Sequence, residues 1–201
     1  MLIPKVFFLG LASSVGIGSL VPLSSLTAKG DDPTAWIVNS RDSFPLFTCS
    51  SDSGSHKIKI SLKFENNSAG TNNKKIIFEG YDEIQRKSFG LYDTEQANLA
   101  PVKLIIYGTG TVKLVDAGSG MDSYQLPSSG LSCKPNIFEV TKYNGNYGHE
   151  LSDKQWEKEF KDIALTLGDC VDKDGSKECL INIGDQVGLK WKTEFTPKAI
   201  I

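Results

Sequence analysis

The sequence predicts an α+β protein: a mainly antiparallel β-sheet of hairpins with one amphipathic helix near residues 152–167, preceded by an N-terminal apolar segment. Three observations carry that prediction. Residues 57–65 alternate polar and apolar side chains, the period of a strand with one wet face. Gly108-Thr109-Gly110 joins two β-branched runs, as in a hairpin. Trp156, Phe160, Ile163 and Leu167 recur at helical spacing behind a Ser152/Gln155 capping box, and Gly168 follows as a stop.

From the N-terminus, 23 consecutive uncharged residues separate Lys5 from Lys29. A positive tip, an apolar middle and a small-residue tail are the layout of an export signal or a single membrane anchor. Unbroken apolar length separates the two. Val6 to Val21 is 16 residues, or about 24 Å as a helix, against about 30 Å of hydrocarbon to cross. Gly10, Gly16, Gly18 and Pro22 weaken a spanning helix further. Length thus favours a cleaved signal. Leu26, standing where a small residue is preferred before a cut after Ala28, favours a retained anchor. Either way residues 1–28 act as signal or anchor, with residues 6–28 the membrane contact, and residues 29–201 form a single extracytoplasmic β-rich domain. The location is secreted or anchored.

Within that domain, Ile58, Ile60, Leu62 and Phe64 fall on one strand face. The turn formers of 66–73 interrupt the pattern and Lys74 to Glu79 resumes it, giving a long-looped hairpin over 57–79. Val102 to Tyr107 and Thr111 to Val115 form the second hairpin, and 136–141 a further strand. Leu180 to Ile183 and Leu189 to Phe195 read as a closing strand pair.

Composition limits function more than it reveals it. Formal charge is −2, and −3 without residues 1–28, so the excess of positive charge that grips a phosphate backbone is missing and nucleic acid is not an expected partner. Four cysteines in an exported chain suit two disulfides. Cys170 and Cys179 bracket a polar turn, leaving Cys49 with Cys133. Loop closure would stabilise by about 2.7 and 4.6 kcal/mol respectively. The alternative is four reduced, buried thiols.

No catalytic, cofactor or metal residue is expected. Gly108-Thr109-Gly110 lacks the spacing of a phosphate loop. Gly118-Ser119-Gly120 falls short of a nucleophile elbow. Asp172, Asp174 and Gly175 echo a calcium loop, but Cys170 and Ile181 occupy positions that need oxygen ligands. His56 and His149 are the only imidazoles, and the stretch from Tyr143 to Glu150 is the most reactive in composition. Lys57, Lys59, Lys63, Lys74 and Lys75 would line the wet face of the first hairpin, a solvated face or a contact for an anionic surface.

Met1-Leu2-Ile3-Pro4-Lys5 with its diluted apolar run, the stretch Ile58 to Asn67 and the four scattered cysteines resemble the paralogous hypothetical exported proteins of haemotropic mycoplasmas. The resemblance implies a surface-displayed, antigenically exposed protein of unknown activity, set directly against its host because such organisms have one membrane and no periplasm. It also implies limited oxidising machinery, which favours the reduced-thiol alternative. The expected function is a non-enzymatic binding or antigenic module whose partner is a host or cell-surface protein. An extracytoplasmic small-ligand or lipid-binding domain is the alternative, and a secreted hydrolase the third.

Overall fold

A computed structural model describes residues 32–38, 43–64, 75–89, 91, 102–116, 126–127, 129–146, 150 and 153–201. The signal or anchor segment and Gly118-Ser119-Gly120 lie outside the described residues, as does His149. Thr34–Ile201 forms one compact unit.

Its strands, in chain order, are β1 (Ala35–Ile37), β2 (Ser43–Ser50), β3 (Lys57–Phe64), β4 (Ile76–Asp82), β5 (Lys87–Phe89), β6 (Val102–Tyr107), β7 (Val112–Asp116), β8 (Leu131–Lys134), β9 (Phe138–Val140), β10 (Gly145–Asn146), β11 (Lys154–Glu159), β12 (Leu165–Lys173), β13 (Ser176–Ile183), β14 (Leu189–Trp191) and β15 (Lys198–Ile200). Nine form a curled antiparallel sheet in the order β10-β11-β6-β7-β8-β2-β3-β4-β5. A second sheet runs β1-β15-β13-β12, with β1 and β15 parallel, and β9 and β14 make a ribbon.

Where the sequence alternates, the strands follow it. Ile58, Ile60, Leu62 and Phe64 of β3 turn inward, none above 8% exposed. Lys63 and Lys57 face out and pair with Glu79 at 2.9 Å and Glu83 at 2.7 Å. β3 and β4 form the first hairpin in unbroken register, and β6 and β7 the second. One core unites the sheets: Trp36 of β1 stacks on Phe64 of β3 at 4.8 Å, and Phe78 of β4 meets Phe160 edge-on at 5.2 Å.

The α+β expectation is overturned. Among the described residues 59% are strand and 5% helical, with no helix of seven residues or more. The segment expected to be helical is β11, a 3₁₀ turn at Phe160–Asp162 and the start of β12. Its apolar residues are core all the same: Trp156, Phe160 and Ile163 are fully buried. A strand residue, a corner and a new strand reproduce a helical stripe in sequence because the chain turns between Trp156 and Leu165. The open edge of β6 decided the outcome, since β11 pairs with it over five residues, Gln155 to Glu159. The indole Nε1–H of Trp156 also donates to the Val187 carbonyl at 2.9 Å. At the corner, the hydrogen bond and charge of Glu159, 2.7 Å away, raise the Lys161 pKa above its usual 10.5. A raised lysine pKa favours the fold below that value and loses the effect as pH climbs past it.

The C-terminal pairing is corrected too. β13 pairs with β12 and β15, whereas β14 pairs with β9. The β12–β13 hairpin turns on Asp174-Gly175, both at positive φ (50° and 81°), the arrangement a two-residue Asp-Gly turn supplies.

Two disulfides join neighbouring strands: Cys49 to Cys133 across β2 and β8, and Cys170 to Cys179 across β12 and β13. They point to an oxidising, extracytoplasmic environment. Among the described residues no helix is long and apolar enough to cross a membrane.

One sheet edge is closed by a side chain. Beyond two-residue β10, Asn144 Nδ2 donates to the Glu157 carbonyl at 2.7 Å and its Oδ1 accepts the Glu157 N–H at 2.9 Å. One amide thus occupies the bonding positions of a missing strand residue.

Trp156→Ala is expected to destabilise by about 3–5 kcal/mol. Trp156→Phe, which strips Val187 of its donor, should cost about 1–3 kcal/mol. Urea midpoints measure both. Asn144→Ala should cost only about 1 kcal/mol yet yield concentration-dependent dimers by sedimentation, because the β11 edge is uncovered.

Candidate functional site

The groove sits where the β6–β7 tip meets the β9–β14 ribbon. The tip is set by Gly110, at φ 84°, which donates to the Tyr107 carbonyl at 2.8 Å. Asn136 ties tip to ribbon: Nδ2 donates to the Gly110 carbonyl at 2.9 Å and Oδ1 accepts the Phe138 N–H at 3.0 Å. The third wall is the turn after β14, where the Phe195 N–H reaches the Lys192 carbonyl at 2.9 Å and the Lys192 N–H reaches Ile137 at 3.0 Å.

These walls enclose about 430 Å³, open to solvent. The floor is Ile106 and Phe138, each 2% exposed. Phe138 is locked between Trp191, stacked at 5.3 Å, and Phe47, edge-on at 5.6 Å. Half-buried Tyr107 and Tyr143 supply aromatic surface with a polar tip. Glu139, Thr193, Glu194 and Lys192 supply charge and hydrogen-bonding groups. Lys190 on β14 holds the Glu139 carboxylate at 3.0 Å. Such a surface can bind by stacking and hydrogen bonding. Among the described residues no His, Cys or Ser lines it, and no cluster could hold a metal.

Sequence-level candidates separate on this frame. Tyr143 reaches the groove, and Gly108-Thr109-Gly110 serves it as a hairpin tip. Asp172, Asp174 and Gly175 belong to the β12–β13 hairpin. The cysteines are all in bridges. Nothing in the sequence joined Tyr107, Phe138 and Lys192, which come from three separate strands or turns.

His56 lies elsewhere. Its Nδ1 is 3.5 Å from Asp82 Oδ2, with the two side chains 15% and 1% exposed. Histidine beside a buried carboxylate invites a catalytic reading, but the other Asp82 oxygen is committed to the backbone. Asp82 Oδ1 accepts the N–H groups of Ile84 at 2.8 Å and Gln85 at 2.9 Å, closing the β4–β5 turn. On the His56 side, Ser51 Oγ accepts the His56 N–H at 3.1 Å, and Ser51, Ser53 and Ser55 bond to one another. The constellation cross-braces two neighbouring turns.

Asp82→Asn keeps the acceptor for the turn, and Asp82→Ala removes it. Thermal melts should place Asp82→Ala about 2–3 kcal/mol below the parent and Asp82→Asn between the two.

No protein-family model, curated protein or solved structure matches the chain.

Proposed function

We propose that this chain is an exported, non-enzymatic surface module, secreted or held at the membrane by residues 6–28, that presents its groove to a host or cell-surface protein. The observation that carries this reading is the open groove of about 430 Å³ on a locked aromatic floor. Tyr107 and Tyr143 suit macromolecular contact, because tyrosine gives large area at low entropic cost. The two disulfides and the apolar leader support delivery outside the cytoplasm. The small-ligand alternative draws less support, because the sheet interior is occupied by Trp36, Phe78, Trp156 and Phe160, each at most 1% exposed.

Two measurements test the proposal. An impermeant amine label applied to intact producing cells should mark exposed lysines such as Lys177 before lysis. Protection equal to that of cytosolic markers would refute the location. Purified protein should bind intact host cells, and Tyr143→Ala or Tyr107→Ala should weaken that binding by about tenfold or more, with Lys57→Ala, on a distant strand, unchanged. Equal binding by all three variants would remove the groove from the function.

A further inference from the structure

We propose that the Cys170–Cys179 bridge is a thiol-exchange site that accepts a small neutral or cationic thiol onto Cys170. The two bridges of this protein are alike in topology and opposite in exposure. Each joins adjacent antiparallel strands. Cys49 and Cys133 are 0% and 5% exposed, in mid-sheet with β3 on one side and β7 on the other. Cys170 is exposed on β12, the edge of its sheet, while Cys179 is 1% exposed.

The surroundings make that difference usable. Every residue from Asp169 to Lys177 is exposed, and Val171 reaches 63%, so the β12–β13 hairpin projects as a finger with the bridge at its base. Cys170 stands in a bulge where the ladder is broken between Gly168 and Val171, with Asp169 at φ 45°. A thiol approaching from the edge meets Cys170 without parting ladder hydrogen bonds. To reach Cys49–Cys133, which lies in the hydrophobic core, it must part the packing over that sheet face.

Exchange is balanced without an outside oxidant or reductant. The incoming thiolate attacks Cys170 Sγ and forms a new S–S bond there. The Cys170–Cys179 bond breaks, its electron pair stays on Cys179 sulfur, and that thiolate takes a proton from water. Attack in the opposite sense is hindered, because Cys179 is packed opposite Ala199 of β15, which is 0% exposed. Charge sets the class of thiol. The finger carries Asp169, Asp172 and Asp174 against Lys173 and Lys177, so an anionic thiol is repelled and a cationic one attracted.

The test is to incubate the oxidised, folded protein with cysteamine, quench with acid, alkylate free thiols and map the peptides by mass. Cysteamine should appear on Cys170 and the alkyl group on Cys179. Opening of Cys49–Cys133 should need a thiol concentration about tenfold higher or more. Three results would overturn the proposal: the adduct on Cys179, equal opening of both bridges, or opening only in step with loss of the near-ultraviolet aromatic signal. A Cys170→Ser/Cys179→Ser variant should retain that signal and take up no cysteamine at the lower concentration. Uptake by that variant would equally refute the assignment.

Discussion

The unsatisfied edge of β6 is the constraint on which the middle of this protein turns. Backbone groups on the side away from β7 need partners, and an unpaired buried amide costs about as much as a lost hydrogen bond. Residues 154–159 supply those partners as β11, placing Trp156 in the core with its indole N–H on Val187. Gly188 gives the turn beside that indole its φ of 76°, and a Cβ there would crowd the Lys142 carbonyl at 3.0 Å. It would leave Trp156 Nε1 in ordinary contact at 3.5 Å, so the indole–Val187 hydrogen bond does not hinge on the glycine. That contact ties the large sheet to the turn before β14, and β14 carries the ribbon that walls the groove. Groove geometry therefore depends on a tryptophan that does not line it.

Edges elsewhere in the molecule are managed by different chemistry. The β11 edge ends in the Asn144 amide. The β12 edge is interrupted by a bulge and fastened to β13 by a disulfide. Exposed lysines, Lys87 on β5 and Lys173 on β12, add charge where another chain's strand would dock. A mostly antiparallel protein with several edge strands among the described residues thereby avoids presenting a flat template for further pairing.

The residues that look most chemical in the sequence are, where described, mostly structural. His56 and Asp82 brace two turns, the acidic residues near Asp174 form a hairpin, and the cysteines cross-link strands. The groove draws instead on tyrosines, a lysine and glutamates that carry no motif. A binding surface of this kind needs residues brought together from distant strands. Catalytic motifs are often local, and this surface is not.

Local periodicity made β3, β4, β6 and β7 legible, because alternation over five to eight residues has one reading when one face is buried. It misled at 152–167, where a strand, a corner and a strand share the spacing of a helix. β2 was hidden by Pro45, whose bulge shifts the inward face between Phe44 and Phe47. The Asp174-Gly175 dipeptide inside the polar turn between Cys170 and Cys179 is itself a hairpin signal. Of the groove, only Tyr143 and the glycine tip stood out beforehand. The sequence by itself determined an apolar N-terminal run, a β-rich body, the inward face of β3 and the spacing that suits two bridges. Tertiary structure alone decided which strand lies beside which, and with it the groove. Pairing energy belongs to backbone groups that every residue carries alike, so no single residue type announces its partner.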